Sequence, residues 1–434
     1  MQISRLVLGS ALASARRSIS TQRVTPTLGV SPSSAIITGL SASEPSEKYT
    51  FPYVWLRDSC MCPHCVHPST RQKLHASSDV PLNVRPIPGE DGISLTEEGL
   101  RVRWREDSPN TKDIVTHDSI YPTEFLRRRA SPSNLKAFNF YQPPVHWTAS
   151  RIDNTPDLFM PYSDILSSPR ALLTAISHLS QYGLLFITGV PNEETSHELC
   201  ELNKLAELFS EIRETFYGRV WDVRSEVGSK NIAYTDLELG LHMDLLYFQH
   251  PPRYQFLHSL RNRSIKGGES FFSDAFSAAT TLRRSHPAAF NLLASTPVPF
   301  HYINDGHHLH HAHPTMELDP HTPSQIAHIN YSPPFQAPLP PSTPSEFYSA
   351  LKLFSDLVND PSALFQYTLK EGEAVIFDNR RVLHGRRAFS DAVEPSDGMQ
   401  EVNANRWLKG CYVEADAILD RGRVLRRRLE KGEI

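Results

Sequence analysis

Three regimes of apolar and polar spacing divide the chain. Between residues 48 and 128 the stretches "YTFPYVWLRDS", "GLRVRWRED" and "DIVTHDSIYPTEFL" alternate or bunch β-branched and aromatic residues between Pro, Gly and Asp turns, which predicts short strands. Residues 129–158, "RASPSNLKAFNFYQPPVHWTASRIDNTPDL", lose that alternation, are rich in Pro, Ser and Asn, and predict a linker. From 159 onward "YSDILSSPRALLTAISHLSQY" and "SHELCELNKLAELFSEIR" carry helical periodicity, the second with Leu199, Leu202, Leu205, Leu208 and Phe209 on one face. The runs "GLLFITGV", "YQFLHSLRN", "GGESFFSDAF", "QIAHINYS" and "LFQYTLKEGEAVIFDNRRVLHGRRAF" then read as short strands. Helices followed by a series of strands predict a mainly β domain over 159–425, a double-stranded β-helix (jelly roll) with flanking helices, preceded by a small β domain over 48–128.

Composition narrows the functional classes. The 434 residues carry 44 basic and 48 acidic side chains, a formal charge of −4, with no long basic block, so a nucleic-acid surface is not indicated. No apolar run approaches the roughly 20 residues of a spanning helix, so no transmembrane segment is expected. Residues 1–20, "MQISRLVLGSALASARRSIS", contain Arg5, Arg16 and Arg17, several serines and no acid. That composition predicts a mitochondrial presequence, and mitochondrial localisation with it.

Two groups of residues carry candidate chemistry. In "RDSCMCPHCVHP" three of the five cysteines, Cys60, Cys62 and Cys65, sit together. Clustered thiolates repel one another unless a cation neutralises them, and zinc takes four such donors in a closed tetrahedron. His64, His67, His75 and His117 are all chemically able to supply the fourth. In "GLHMDLLYF" an apolar run contains His242 and Asp244, two groups that are costly to bury. On a strand, residues i and i+2 share a face, so the pair predicts either a metal site or a hydrogen-bonded core pair. His384, late in "NRRVLHGRR", supplies a second imidazole. Two histidines and a carboxylate match the facial triad of non-haem iron oxygenases, although a zinc hydrolase would accept the same ligands. Arg406 follows 22 residues later and would suit the far carboxylate of a keto-acid cosubstrate.

With these motifs in place the chain resembles the γ-butyrobetaine dioxygenase and trimethyllysine dioxygenase family, which are Fe(II)/2-oxoglutarate oxygenases of carnitine biosynthesis. The resemblance runs from about residue 48 to 430 through "CMCPHC", "VTHDSIYPTEFL", "NIAYT", "LHMDLLYF", "GGESFFSDAF", "FDNRRVLHGRRAF" and "NRWLKGCYVEAD". It implies structural zinc on Cys60, Cys62, Cys65 and His117, and iron on His242, Asp244 and His384. It implies 2-oxoglutarate held by Arg406 beside Leu257, with Ser270 adding a hydroxyl contact, and ascorbate as reductant. Tyr217, Trp221, Tyr234 and Tyr412 match the places where the family cages a trimethylammonium group, and Asn231 keeps a carboxylate contact of the butyrobetaine branch. Ring faces attract a quaternary cation that cannot donate a hydrogen bond.

One position departs from the butyrobetaine pattern: Leu245 stands where a tyrosine is usual. The following "YFQ" leans towards the trimethyllysine branch, while "HGRRAF" and "ALKLFSDLV" lean towards the other. The implied reaction is hydroxylation of γ-butyrobetaine to carnitine with O2, giving succinate and CO2. The alternatives are trimethyllysine, a related trimethylammonium compound, or a jelly-roll binding protein without turnover. The run "DGHHLHHAH", with His307, His308, His310, His311 and His313, is read as an exposed or pocket-flanking loop. The C-terminal "ILDRGRVLRRRLEKG" is read as a basic amphipathic helix that packs on another element or on a partner in a homodimer.

Overall fold

A computed structural model describes residues 25–41, 44–89, 91–107, 114–139, 142–224, 235–263, 265–320, 322–391 and 406–434. The expected presequence, residues 1–20, lies outside the described residues. The chain divides into two compact units, Met1–Asn139 and Phe140–Ile434.

The smaller unit contains two antiparallel three-stranded sheets. Thr27–Val30, Ser34–Thr38 and Lys48–Pro52 form one; Ile93–Thr96, Gly99–Asp107 and Ile114–Tyr121 form the other. Alternation puts Leu100, Val102 and Trp104 on one face of the middle strand, where each is fully buried beside Leu56, Phe51 and Tyr121. Two strands of this unit precede residue 48, and the expected linker carries two short helices, Pro132–Phe138 and Ala149–Asp153.

Two sheets frame the larger unit. One orders Trp221–Arg224, Arg406–Val413, Tyr254–Asn262, Ala374–Asp378, Leu184–Thr188 and Phe159–Pro161, with Ile212–Arg213 added beside Arg406–Val413. The other orders Leu239–His242, Val382–Arg386, Ser270–Asp274 and Phe365–Tyr367. All pairings are antiparallel except Phe159–Pro161 with Leu184–Thr188. This is the expected jelly roll with flanking helices.

Local rules explain how the helices begin and end. The predicted helix over 162–182 is two, Tyr162–Ser167 and Pro169–Tyr182, because a residue before proline is driven out of the helical region. Ser168 then caps the second by accepting from the Ala171 N–H, and Gly183, at φ 73°, ends it in a left-handed turn that a side chain would strain. In Glu201–Phe209, Leu202, Leu205 and Phe209 are buried as expected; Leu199 precedes the helix and is exposed. The histidine-rich run is not a loop. Cross-strand pairing makes His307–Pro314 a strand of a hairpin with Pro297–Asn304. The C-terminal helix Ala415–Glu430 packs on Pro169–Tyr182 through a face that buries Ile418 and Leu425. Among the described residues no helix is long and apolar enough to cross a membrane.

Candidate functional site

Burial of polar side chains in the larger unit centres on the strand Val382–Arg386. Arg381, just before it, is 1% exposed and donates to both carboxylate oxygens of Asp274 at 3.0 and 3.1 Å and to the carbonyls of Gln181 and Val145. A buried charge is tolerated when it is paired and all its donors are used. Asn379, fully buried, accepts from the backbone N–H of Asp244 at 2.8 Å and donates to the carbonyls of Asp244 and Pro252. These contacts fix the two segments that bring three ligand-type side chains together.

His242 ends the strand Leu239–His242 and is the direct cross-strand partner of His384, with ring centroids 4.2 Å apart. Asp244 reaches them differently from the strand alternation expected. The strand stops at His242, and Asp244 opens a turn in which Leu245 takes φ 61°, so the carboxylate is swung in by the turn. The ligand atoms of His242, Asp244 and His384 all lie within 4.8 Å of one another. The His242 Nδ1–H donates to the Gly240 carbonyl at 2.9 Å, leaving Nε2, 3.3 Å from Asp244 Oδ1, as the free lone pair. Tyr412 donates its hydroxyl to the other Asp244 oxygen at 2.8 Å.

Burial alone would raise the Asp244 carboxyl. The contacts with His242 and His384 and the Tyr412 hydroxyl outweigh it and hold the group below the usual carboxylate range. Burial, then His242, brings His384 down to about 3, so its imidazole is neutral at pH 7. Burial and the Asp244 charge push the Tyr412 phenol up, so it stays a donor. An ionised carboxylate beside two imidazoles, one of them, His384, with a buried Nδ1 that has no hydrogen-bond partner, is a donor set suited to a divalent metal.

This set opens on a pocket of about 880 Å³ of empty space, part of it open to solvent, whose walls include Tyr217, Trp221, Leu257, Ser270, Arg406 and Tyr412. Two-residue periodicity builds it: Arg406, Leu408 and Tyr412 from one strand, Gln255 and Leu257 from the next, Ser270 and Phe272 from the facing sheet. Gly410 continues the first row, and a Cβ there would lie 2.6 Å from the Trp221 ring, so only glycine lets that ring lie flat on the sheet. Trp221 in turn stacks on Tyr412 with centroids 4.3 Å apart, and Tyr217 stands 6.2 Å from Trp221. Arg406 is 8% exposed. Burial and the neighbouring Arg386 bring its guanidinium down to about 9. Among the described residues no carboxylate forms an ion pair with it. Asn231 and Tyr234 lie outside the described residues.

The smaller unit holds a second set. His117 Nε2 stands 3.3, 3.6 and 3.6 Å from the sulfurs of Cys60, Cys62 and Cys65. Bonds of about 2.3 Å to sulfur and 2.0–2.1 Å to nitrogen at tetrahedral angles put sulfur and nitrogen about 3.6 Å apart, so the spacing is consistent with zinc. His64, His67 and His75 do not join this group. Ser119 donates to Cys60 at 3.0 Å and Arg57 to Cys65 at 3.3 Å. Burial, with Cys60 adding to it, pushes the Cys65 thiol up to about 12, as expected of a thiolate that needs a cation.

Comparison with known families decides the chemistry. Residues 159–412 match the taurine catabolism dioxygenase TauD, TfdA family. The chain belongs to that family. Residues 42–127 match the γ-butyrobetaine hydroxylase-like N-terminal family. The dioxygenase is 50% identical over 388 residues to dioxygenase str8 of Strobilurus tenacellus, covering 89% of this chain and 87% of the relative. It is 31% identical to the γ-butyrobetaine dioxygenase of Pseudomonas sp. (strain AK-1), over 87% of this chain and 91% of that one. With the mitochondrial trimethyllysine dioxygenase of Bos taurus it shares 28% identity over 86% and 82%. It is an iron- and 2-oxoglutarate-dependent dioxygenase of the γ-butyrobetaine/trimethyllysine hydroxylase family, acting on a small molecule with O2.

Sequence reasoning passed over three residues of this dioxygenase's pocket region. Asn379 was hidden inside "FDNRR", where it reads as a turn residue. Tyr247 entered only within "YFQ", as a lean towards the trimethyllysine branch and not as a pocket residue. Gln255 offered the one available signal, a carboxamide in the otherwise apolar start of "YQFLHSLRN".

Proposed function

We propose that this dioxygenase hydroxylates a small trimethylammonium amino acid, with γ-butyrobetaine, giving carnitine, as the first candidate. The observation that carries the reading is the aromatic wall of Tyr217, Trp221 and Tyr412, with Tyr247 behind it, in a cavity whose only described acidic lining residue is Asp244. Asp244 is committed to the ligand set, so an incoming cation would be met by ring faces instead of an ion pair. His242, Asp244 and His384 would hold Fe(II), Arg406 would bind the far carboxylate of 2-oxoglutarate, and Leu257 and Ser270 would flank it. When bound, these groups supply the oxidation: 2-oxoglutarate and O2 become succinate and CO2 as one oxygen atom is inserted into a substrate C–H bond.

The chain's own contribution is placement. The rings hold the quaternary end, so that one C–H faces the ligand set, and the buried walls keep bulk water from it. Tyr412 serves both ends, since its ring stacks with Trp221 while its hydroxyl orients Asp244. Cys60, Cys62, Cys65 and His117 would hold a structural zinc in the unit over 48–128, followed by the linker 129–158 and the oxygenase domain 159–425. Ascorbate as reductant, a homodimer and a mitochondrial location, directed by residues 1–20, complete the proposal.

Leu245 favours a second reading. It is buried, lines the cavity and offers no hydroxyl where the butyrobetaine branch has a tyrosine to hold the substrate carboxylate. Trimethyllysine, whose carboxylate lies two carbons farther from the quaternary nitrogen, would place chain methylenes at this apolar contact. The test is succinate release with γ-butyrobetaine and with trimethyllysine, each with and without Fe(II). Stimulation by neither removes the trimethylammonium reading while leaving the dioxygenase itself in place.

A further inference from the structure

Gln255 is 3% exposed, lines the cavity, and its Oε1 is buried without a hydrogen-bond partner. A buried carboxamide oxygen left unpaired is costly, so its presence asks for a ligand. Strand register says where that ligand sits. Gln255 is the direct cross-strand partner of Tyr412 on one side and of Phe377 on the other, and directly opposed residues share a face. Tyr412 donates to the Asp244 carboxylate, and the Phe377 ring lies 4.6 Å from the His384 ring. The carboxamide is thus bracketed by the two residues that touch the ligand set. Arg406 lies six residues from Tyr412 along the same strand, towards the opposite end of the pocket.

We infer that Gln255 positions the cosubstrate, its carboxamide hydrogen-bonding an oxygen held at the open positions of the metal. That oxygen belongs to the metal-chelating carboxylate of 2-oxoglutarate when it is bound and to water before then. A carboxamide suits this change of partner because its Oε1 can accept from water and, once the amide turns over, its Nε2–H can donate to a carboxylate. A trimethylammonium group offers neither, so Gln255 does not serve the substrate's cationic end. The inference rests on the iron and 2-oxoglutarate assignment above.

Anaerobic titration of the Fe(II)-loaded protein with 2-oxoglutarate, followed by the visible charge-transfer band of the chelate, tests it without turnover. Gln255→Leu should weaken 2-oxoglutarate binding roughly 3- to 10-fold, the worth of one hydrogen bond, and move the band. Gln255→Glu keeps the shape but faces the cosubstrate carboxylate with a like charge. It should weaken 2-oxoglutarate further than Gln255→Leu, whereas an amide with no part in cosubstrate binding would leave the affinity of both folded variants at wild type. Thermal unfolding of each variant identifies any loss of fold, in which case the remaining variant decides. Wild-type affinity and an unmoved band in the folded variants overturn the inference, and so does a change confined to the KM of the substrate. Absence of the band in the wild-type protein would instead refute the cosubstrate assignment on which it rests.

Discussion

The two ligand sets of this chain are built from similar parts and arranged for different ends. In the smaller unit three sulfurs and one imidazole close on one point, the four donors that a zinc tetrahedron takes. In the larger unit three donors converge at one end of a cavity and leave the rest of the sphere open. Both carry outer hydrogen bonds of the same kind, Ser119 to Cys60 and Tyr412 to Asp244. What separates a set fit for a structural ion from one fit for chemistry is therefore the number of donors and what stands beside them. Second contacts orient ligands in either case.

Removing one donor from each set should break the comparison most sharply. Asp244→Ala deletes the only charged ligand of the open set, so iron retention and all succinate formation should be lost together while the zinc content, measured by elemental analysis, stays at wild type. Cys65→Ser should do the reverse to the metal content. A structural zinc contributes on the order of 10 kcal/mol to a small domain, so the smaller unit should lose its cooperative melting transition. Loss of zinc from the Asp244 variant would show that the sets are not independent.

A smaller effect sharpens the contrast between closed and open. Arg406→Ala should leave iron bound and weaken 2-oxoglutarate by about 30- to several-thousand-fold, since truncating one partner of a buried charged contact costs roughly 2–5 kcal/mol. Binding as tight as wild type would place the cosubstrate clamp elsewhere. Smaller still, Tyr412→Phe and Ser119→Ala each remove one hydrogen bond to a ligand. About 1.5–3 kcal/mol, near tenfold or more in metal affinity, is expected from each, on iron for the first and on zinc for the second. Equal loss of both metals in either variant would contradict the separate roles.

A last effect, spread over a pH window and no larger than those, is one of protonation. Burial holds His178, His258 and His313, all in the larger unit, at about 4. An unfolded imidazole takes up its proton near 6.5 and the folded ones only near 4. Below 6.5 the unfolded chain therefore binds more protons, and stability falls with falling pH until about 4. His258→Gln should make urea-unfolding free energies less steep across that window, by up to about 3 kcal/mol. An unchanged slope would mean that His258 is not neutral in the folded state.

The alternation at 99–107 and the helical spacing at 169–182 were legible because burial on one face imposes a period that a single stretch of sequence displays. The ligand types were legible for a related reason: three close cysteines, and a histidine and aspartate inside an apolar run, are too costly to bury without a partner. Asn379 and Gln255 were not legible as pocket-region residues, because each becomes meaningful only through residues more than 100 positions away.

The sequence by itself determined the class of the long periodic elements, the presence of two metal-type donor sets and the resemblance to the family. Tertiary structure alone decided how the donors meet. Cross-strand register set His242 opposite His384, and a left-handed turn at Leu245, not strand alternation, brought Asp244 beside them. It also brought His117, as the resemblance had implied, and not three nearer histidines to the cysteine set, and turned a histidine-rich run into a strand. The physical reason is range. Periodicity and residue chemistry act over a few neighbours and are written locally, whereas register and convergence depend on which distant segments share a sheet, and that is settled only when the core closes.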